Sequence, residues 1–250
     1  MDLSHHDFQV ADGTRLAWHE IGEGRPTVLI HGLFSSAEVN WIRYGTADKV
    51  ADLGRRVIMP DMRAHGHSDK PHDPACYPPD ILSQDALALI AHLGLTDYDL
   101  GGYSLGARTS VRAALAGATP KRLIISGMGL DGIVNARARS AYFRKVLTGL
   151  GTFERGSPEW MAEAFLKTTK GDPEALLPLI GSFIDTPEEA LVGIAMPTLV
   201  LSGAEDRDNG SSEELAGRLP DARFVEVPGN HMNVVTTSAF GRAIAEFLES

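Results

Sequence analysis

Three residues that lie far apart in the sequence, Ser104, Asp206 and His231, have the side chains of a nucleophile, an acid and a base. Ser104 is the centre of residues 102–106, GYSLG, a G-x-S-x-G pattern between a strand-like and a helix-like stretch. Such a sharp turn exposes the serine hydroxyl at its tip, and its glycines avoid the crowding that a Cβ would cause. The pattern predicts nucleophilic catalysis by serine.

A serine hydroxyl is a poor nucleophile without a base, and His231 is the expected base among nine histidines. It follows a strand-like stretch, and ligand chemistry in open α/β sheets gathers at the carboxyl ends of the strands. Asp206 follows another such stretch and is the expected acid that orients the imidazole. Asp131, just after the strand that follows the serine turn, is the main alternative acid. Two further carboxylates compete for the same role: Glu205 and Asp208.

Attack on a carbonyl group places negative charge on its oxygen, which two backbone N–H groups should stabilise. We expect one from Leu105, at the start of a helix, where the helix dipole assists. The other is expected from the loop after the first buried strand, with Leu33 preferred over Phe34. Phe34, Trp41 and Tyr103 are candidates to line an apolar substrate pocket, although ordinary core packing is the favoured explanation for any one of them.

Residues 65–69, HGHSD, resemble the beginning of a zinc signature of the form H-x-H-x-D-H. Lys70 occupies the sixth position, where that signature requires a ligand. We therefore expect a polar turn whose imidazoles brace neighbouring loops, and no metal. Residues 5–7, HHD, are expected to be a solvated terminus.

The chain alternates strand-like and helix-like stretches, which predicts a mostly parallel sheet with helices on both faces. Residues 27–30, TVLI, are a continuous apolar run typical of a strand buried on both faces. The alternation stops from 131 to 194, where only helix-like stretches occur, and then resumes. We therefore predict an α/β core formed by residues 1–130 and 195–250, with a helical cap at 131–194.

The composition sets limits on the partners. The net charge is −10, which argues against nucleic acid and against an anionic membrane surface. Apolar stretches are too short to span a membrane, and a signal-peptide pattern is missing from the beginning of the sequence. The single cysteine, Cys76, cannot form an intrachain disulfide, which favours a reducing compartment. We expect a cytoplasmic protein that acts on a small molecule; the oligomeric state is left open.

These motifs together resemble the α/β-hydrolase fold family, in its esterase, lipase and C–C hydrolase branch. The resemblance rests on residues 31–33 (HGL), 61–69 (DMRAHGHSD), 102–106, 203–206 (GAED) and 230–231 (NH). It departs from the family pattern at Ala64 and Asn230, where glycine is more usual. The resemblance implies an eight-stranded, mostly parallel sheet with a helical cap, and neither a metal nor an organic cofactor. Serine as the nucleophile argues against a haloalkane dehalogenase or an epoxide hydrolase, since both are known for a carboxylate there.

The expected function is hydrolysis of a small carboxylic ester through an acyl-enzyme intermediate. The same residues support cleavage of C–C bonds, lactones or amides, or cofactor-free perhydrolysis. A polar cap with a cationic clamp would favour an acidic C–C or lactone substrate; the arginines that could supply the charge are Arg108, Arg137, Arg139 and Arg144. A third hypothesis is a non-catalytic ligand receptor built on the hydrolase fold.

Overall fold

The computed structural model of the chain describes residues 2–250 and contains one eight-stranded sheet. The strand order is β1-β2-β4-β3-β5-β6-β7-β8; β1–β2 and β2–β4 are antiparallel and the remaining pairs are parallel. The predicted fold class, a mostly parallel eight-stranded sheet with helices, is confirmed. The strands are β1 Ser4–Gln9, β2 Arg15–Ile21, β3 Arg25–Ile30, β4 Arg55–Pro60, β5 Asp99–Tyr103, β6 Leu123–Ser126, β7 Thr198–Gly203 and β8 Ala222–Val227.

Helices cover both faces of the sheet. The α-helices are α1 Thr46–Ala51, α2 Ile81–His92, α3 Leu105–Leu115, α4 Leu130–Val134, α5 Ala136–Thr148, α6 Pro158–Thr168, α7 Pro173–Gly181, α8 Ser212–Gly217 and α9 Ser238–Glu249. A π-helical turn spans Glu38–Ile42, and 3₁₀ turns span Pro74–Cys76, Glu188–Gly193 and Val234–Thr236. Four α-helices and one 3₁₀ turn therefore lie between β6 and β7, in the part of the chain where the sequence predicts only helices.

The central strands are apolar on both sides because both faces of the sheet are buried. In β3, Val28 and Ile30 belong to one apolar core layer and Leu29 belongs to the layer on the opposite face. Side chains alternate between the faces of a strand, so a continuous apolar run is what such a strand requires. The chain passes from β3 to its neighbour β4 and then returns to β5 on the other side of β3. This reversal places the loop after β3 beside the loop after β5, which is where α/β sheets bind ligands.

Two element predictions differ from the structure. The sequence pattern predicts one helix over residues 37–53, but the structure divides this stretch into a π-helical turn and α1, with Gly45 at a positive φ of 72° between them. The pattern also predicts a first strand that begins at Asp7, whereas β1 begins at Ser4. His5 and His6, expected in a solvated terminus, are exposed but lie on an edge strand paired with β2. Their polar side chains gave no apolar alternation from which the strand could be recognised.

A buried ion pair fastens the loop after β4 to α2. The Arg63 side chain is fully buried and donates two hydrogen bonds to Asp85, from Nε to Oδ2 at 2.9 Å and from Nη2 to Oδ1 at 2.8 Å. It also donates to Asp12 and to the carbonyl group of Cys76. Burial of an unpaired charge is strongly unfavourable, so removal of either Arg63 or Asp85 should destabilise the fold.

We expect Asp85→Ala to lower the free energy of unfolding by about 3–5 kcal/mol, because it leaves the Arg63 charge buried with its main partner removed. Urea denaturation measures this loss. Glu246→Ala, at an exposed position of α9, is the control and should change the value by less than about 0.5 kcal/mol. Equal stabilities of the two variants would show that the ion pair contributes little.

Candidate active site

Ser104 lies at the turn between β5 and α3 in a strained backbone conformation. Its φ is 52° and its ψ is −114°, a region that residues other than glycine rarely adopt. The turn is tight enough that a Cβ on Gly106 would lie 2.0 Å from the Ile30 carbonyl oxygen, and one on Gly102 would lie 2.3 Å from the Gly106 carbonyl carbon. Glycine is thus required at both positions, and the helix start rests directly on the end of β3.

The structure brings Ser104, His231 and Asp206 into one hydrogen-bonded chain. His231 Nε2 is 3.0 Å from Ser104 Oγ, and His231 Nδ1 is 2.8 Å from Asp206 Oδ2. Burial alone would raise the pKa of the Asp206 carboxyl, but the hydrogen bond and charge of His231 hold that pKa below its ordinary value. The acid therefore stays ionised, which favours the tautomer with a proton on Nδ1 and leaves Nε2 free to accept the serine proton.

The alternative acid, Asp131, lies elsewhere. It is exposed at the start of α4, and its Oδ1 is 3.5 Å from Nδ2 of Asn135. The imidazole of His231 instead has Asp206 as its partner, at the carboxyl end of the neighbouring strand β7. The Asp208 side chain is not part of the contact: its backbone N–H donates to Asp206 Oδ1 at 3.1 Å and thereby orients that carboxylate.

The loop after β3 presents backbone N–H groups next to Ser104. The N–H of Phe34 donates a hydrogen bond to Nε2 of His65 at 3.2 Å, whereas among residues 2–250 the N–H of Leu33 has no hydrogen-bond acceptor. Leu105 is the first residue of α3, where backbone N–H groups lack a partner within the helix. The geometry thus favours Leu33 over Phe34 as the second donor.

Two buried histidines hold this loop in place. His31 Nε2 accepts the N–H of Met62, and Nδ1 donates to the Gly32 carbonyl group; His65 Nε2 accepts the N–H of Phe34. Burial, followed by the neighbouring His31, lowers the pKa of His65 to about 3. Both rings are neutral at ordinary pH, which is the form that can accept an N–H hydrogen bond.

Asp61 links the same region to β4. Its Oδ1 accepts the N–H of Ala37 at 2.9 Å, and its Oδ2 accepts the N–H of His67 at 2.8 Å. Burial would raise the pKa of Asp61, but the imidazoles of His19 and His31 and these two N–H groups hold it well below its ordinary value. Asn40, whose Oδ1 accepts the Gly32 N–H at 2.8 Å, completes the support. A lone Asn in a helix-like stretch carries no sequence signal for this role.

The three pocket candidates have different positions. The Trp41 side chain is fully buried and its ring is stacked against that of Phe240, so it belongs to the core beneath α9 and is corrected from pocket to core. Tyr103 is also buried; its hydroxyl donates to the His231 carbonyl group, so it positions the histidine loop. Phe34, with a positive φ of 60°, lies against Phe143 of α5, with ring centroids 5.5 Å apart.

A groove of about 550 Å³ lies between α5 and α7, but it contains none of the three residues of the hydrogen-bonded chain. Its lining is largely exposed and includes Arg137, Arg144 and Lys145. This groove therefore belongs to the outer surface of the helical segment. Among the helices of residues 2–250, none combines the length and the apolar character needed to cross a membrane.

Known proteins resemble this chain over most of its length. The family described as "Alpha/beta hydrolase family" matches residues 27–246, most of the chain. The chain belongs to the alpha/beta hydrolase family. The predicted resemblance is thereby confirmed for the family as a whole, whose members catalyse more than one reaction.

Individual relatives of this alpha/beta hydrolase carry different activities in their names. It is 27% identical to a non-heme chloroperoxidase from Kitasatospora aureofaciens, over 95% of this chain and 97% of the relative. It is 30% identical to a 2-hydroxymuconate semialdehyde hydrolase from a Pseudomonas species, over 55% of this chain and 52% of that protein. The structure of an esterase from Exiguobacterium antarcticum superimposes with a TM-score of 0.76 at 21% identity, covering 98% of this chain and 99% of that one.

Asp206→Asn should lower kcat by about 10⁴-fold, because an amide in place of the carboxylate no longer fixes the histidine tautomer. Asp131→Asn is the matched control and should leave kcat nearly unchanged, since the Asp131 side chain is exposed and does not contact His231. Steady-state hydrolysis of a short p-nitrophenyl ester measures both values. A large loss in Asp131→Asn together with a small loss in Asp206→Asn would reverse the assignment of the acid.

Proposed function

We propose that this alpha/beta hydrolase cleaves a small carboxylic ester through an acyl-enzyme intermediate. The observation that carries the proposal is the chain of contacts from Ser104 Oγ through His231 to Asp206, at 3.0 Å and 2.8 Å. A serine hydroxyl, an imidazole and an ionised carboxylate hydrogen-bonded in this order are what nucleophilic acyl transfer requires.

In the proposed reaction, Ser104 Oγ attacks the carbonyl carbon of the ester while His231 Nε2 takes the serine proton. The N–H groups of Leu33 and Leu105 stabilise the negative oxygen of the tetrahedral intermediate. His231 then gives the proton to the departing alkoxide, which leaves as the alcohol. Water, deprotonated by the same histidine, attacks the acyl-enzyme; the acid is released and Ser104 regains its proton.

We further propose that residues 131–194 act as a cap over this site. The support is the packing of α5 against α6 and α7, together with the contact between Phe143 of α5 and Phe34 of the loop after β3. Arg139, Tyr142, Phe143 and Val146 follow helical spacing and are buried or half-buried, so this face of α5 is turned inward. The substrate would then lie between the cap and the carboxyl ends of the strands.

Ser104→Ala should lower kcat/KM for a short p-nitrophenyl ester by several orders of magnitude and abolish labelling by a fluorophosphonate probe, because the only proposed nucleophile is removed. Ser238→Ala, at an exposed position of α9, is the control and should keep full activity and labelling. Circular dichroism checks that both variants fold. A wild-type protein that neither reacts with the probe nor turns over esters would favour the ligand-receptor hypothesis.

A second candidate function, hydrolysis of an acidic C–C or lactone substrate, is favoured by Arg139. Its Nε is buried without a hydrogen-bond partner in the described part of the chain, and its guanidinium lies 5.2 Å from the Phe143 ring centroid. Phe143 in turn contacts Phe34, beside the proposed oxyanion donor Leu33. An arginine with unused donors in this position would pair well with a substrate carboxylate.

If a substrate carboxylate binds there, Arg139→Gln should raise KM at least about tenfold for carboxylate-bearing esters or lactones, through loss of a charge-assisted hydrogen bond. It should change kcat/KM for neutral short esters by less than about twofold, since those esters lack the charged partner. Arg144→Gln, on the exposed side of the same helix, is the matched control. Equal effects of Arg139→Gln on charged and neutral substrates would restrict Arg139 to a packing role.

A further inference from the structure

A cluster of three histidines and one aspartate lies outside the proposed catalytic site. His5 comes from β1, His19 from β2 and His67 from the loop after β4, while Asp61 is the first residue of that loop. The ring centroid of His5 lies 5.0 Å from that of His19 and 5.0 Å from that of His67. The ring centroids of His19 and His67 lie 5.5 Å apart. The proposed ester hydrolysis makes no use of these imidazoles.

Three residues of this cluster, His19, Asp61 and His67, have donor atoms that lie close together. One ring nitrogen each from His19 and His67 and one carboxylate oxygen of Asp61 lie within 4.8 Å of one another. His19 is only 8% exposed, and its Nε2 is buried with no hydrogen-bond partner among residues 2–250. That nitrogen is 3.8 Å from Asp61 Oδ2, too far for a hydrogen bond. A buried polar atom without a hydrogen bond is unfavourable, and a bound ligand would give this nitrogen a partner.

We propose that His19, Asp61 and His67 bind a divalent transition metal, Zn²⁺ in particular, with His5 as the fourth ligand. Imidazole nitrogen with one carboxylate oxygen is a donor set that Zn²⁺ takes in tetrahedral geometry. Ligand bonds of about 2.0–2.2 Å place neighbouring donor atoms roughly 3.4 Å apart. The 3.8 Å distance between His19 Nε2 and Asp61 Oδ2 therefore needs to shorten by only a few tenths of an ångström.

The remaining ligands can adjust because they are exposed. His5 and His67 are both exposed, so rotation of their side chains brings a ring nitrogen to the metal without moving the core. Asp61 can keep its hydrogen bonds to the N–H groups of Ala37 and His67, since each carboxylate oxygen has a second lone pair. His65, the first histidine of the zinc-like sequence pattern, is buried and bonded to Phe34, so the site differs from the one that the pattern would suggest.

Such a metal would be structural. It would connect β1, β2 and the 61–69 loop, and that loop supports the proposed oxyanion segment through Asp61 and His65. Because binding to the folded state alone stabilises that state by mass action, zinc should raise the unfolding temperature.

Isothermal titration of the full chain, without a polyhistidine tag and after removal of metals by a chelator, tests this with Zn²⁺ as the titrant. We expect one saturable site per chain. His67→Ala should weaken binding by at least about tenfold, because even loss of a group that only supports a metal ligand has that effect. Zn²⁺ should raise the unfolding temperature of the wild type and fail to do so in His67→Ala.

Two controls separate this site from ordinary surface histidines. His6 lies on β1 next to His5 but stacks on Trp18, with ring centroids 5.0 Å apart, and His72 is exposed beside Asp172. His6→Ala and His72→Ala should bind Zn²⁺ as the wild type does. The proposal is overturned if the wild type binds no Zn²⁺, if His67→Ala binds as tightly as His6→Ala, or if His231→Ala removes the bound metal. Unfolding temperatures measured without metal verify that each variant is folded.

Discussion

The close approach of two backbones at the end of β3 determines the geometry of the candidate site. The first turn of α3 rests on β3 so closely that a Cβ on Gly106 would overlap the Ile30 carbonyl oxygen. This contact holds the serine turn in its strained conformation and sets the loop after β3 next to it. The proposed nucleophile, Ser104, and the proposed oxyanion donor Leu33 come from separate segments, so their spacing depends on how tightly these segments pack. Backbone strain at Ser104 is tolerated because the surrounding contacts over-determine the turn.

The loop that supports the oxyanion segment is held by polar groups that are almost entirely buried. His31, His65 and Asp61 each accept backbone N–H groups, and both histidines remain neutral because burial lowers their pKa values. In a low-dielectric interior such bonds are strong and their geometry is restrictive, which suits a scaffold for catalysis. The histidine cluster on β1 and β2 reaches the same loop through Asp61. A metal there would stabilise the scaffold from its outer side.

The helical segment 131–194, which we propose as a cap, would decide which substrates reach the proposed Ser104, His231 and Asp206 triad. Its first long helix turns an arginine and two aromatic rings toward the core, and one of those rings contacts Phe34. Relatives named as a chloroperoxidase and as a semialdehyde hydrolase show that the fold accepts several chemistries. The fold by itself therefore does not determine the substrate. In our proposal the core supplies Ser104, His231 and Asp206, and the side chains of residues 131–194 select the substrate. A substrate with a carboxylate would give Arg139 a hydrogen-bond partner, whereas a neutral ester would not.

Local patterns were enough to recognise the serine turn, the alternating strands and helices, and the helical segment between β6 and β7. These features depend on neighbours a few residues apart, so their signals are present in short windows of the chain. Contacts between distant segments carry no such signal. The sequence favoured Asp206 as the partner of His231 but left Asp131 open, and the contact itself is visible only in the folded chain. Only the folded chain moved Trp41 into the core and placed His5 on an edge strand beside His19 and His67. Strand register and packing determine such meetings, because a shift of one residue would turn each side chain to the other face of the sheet.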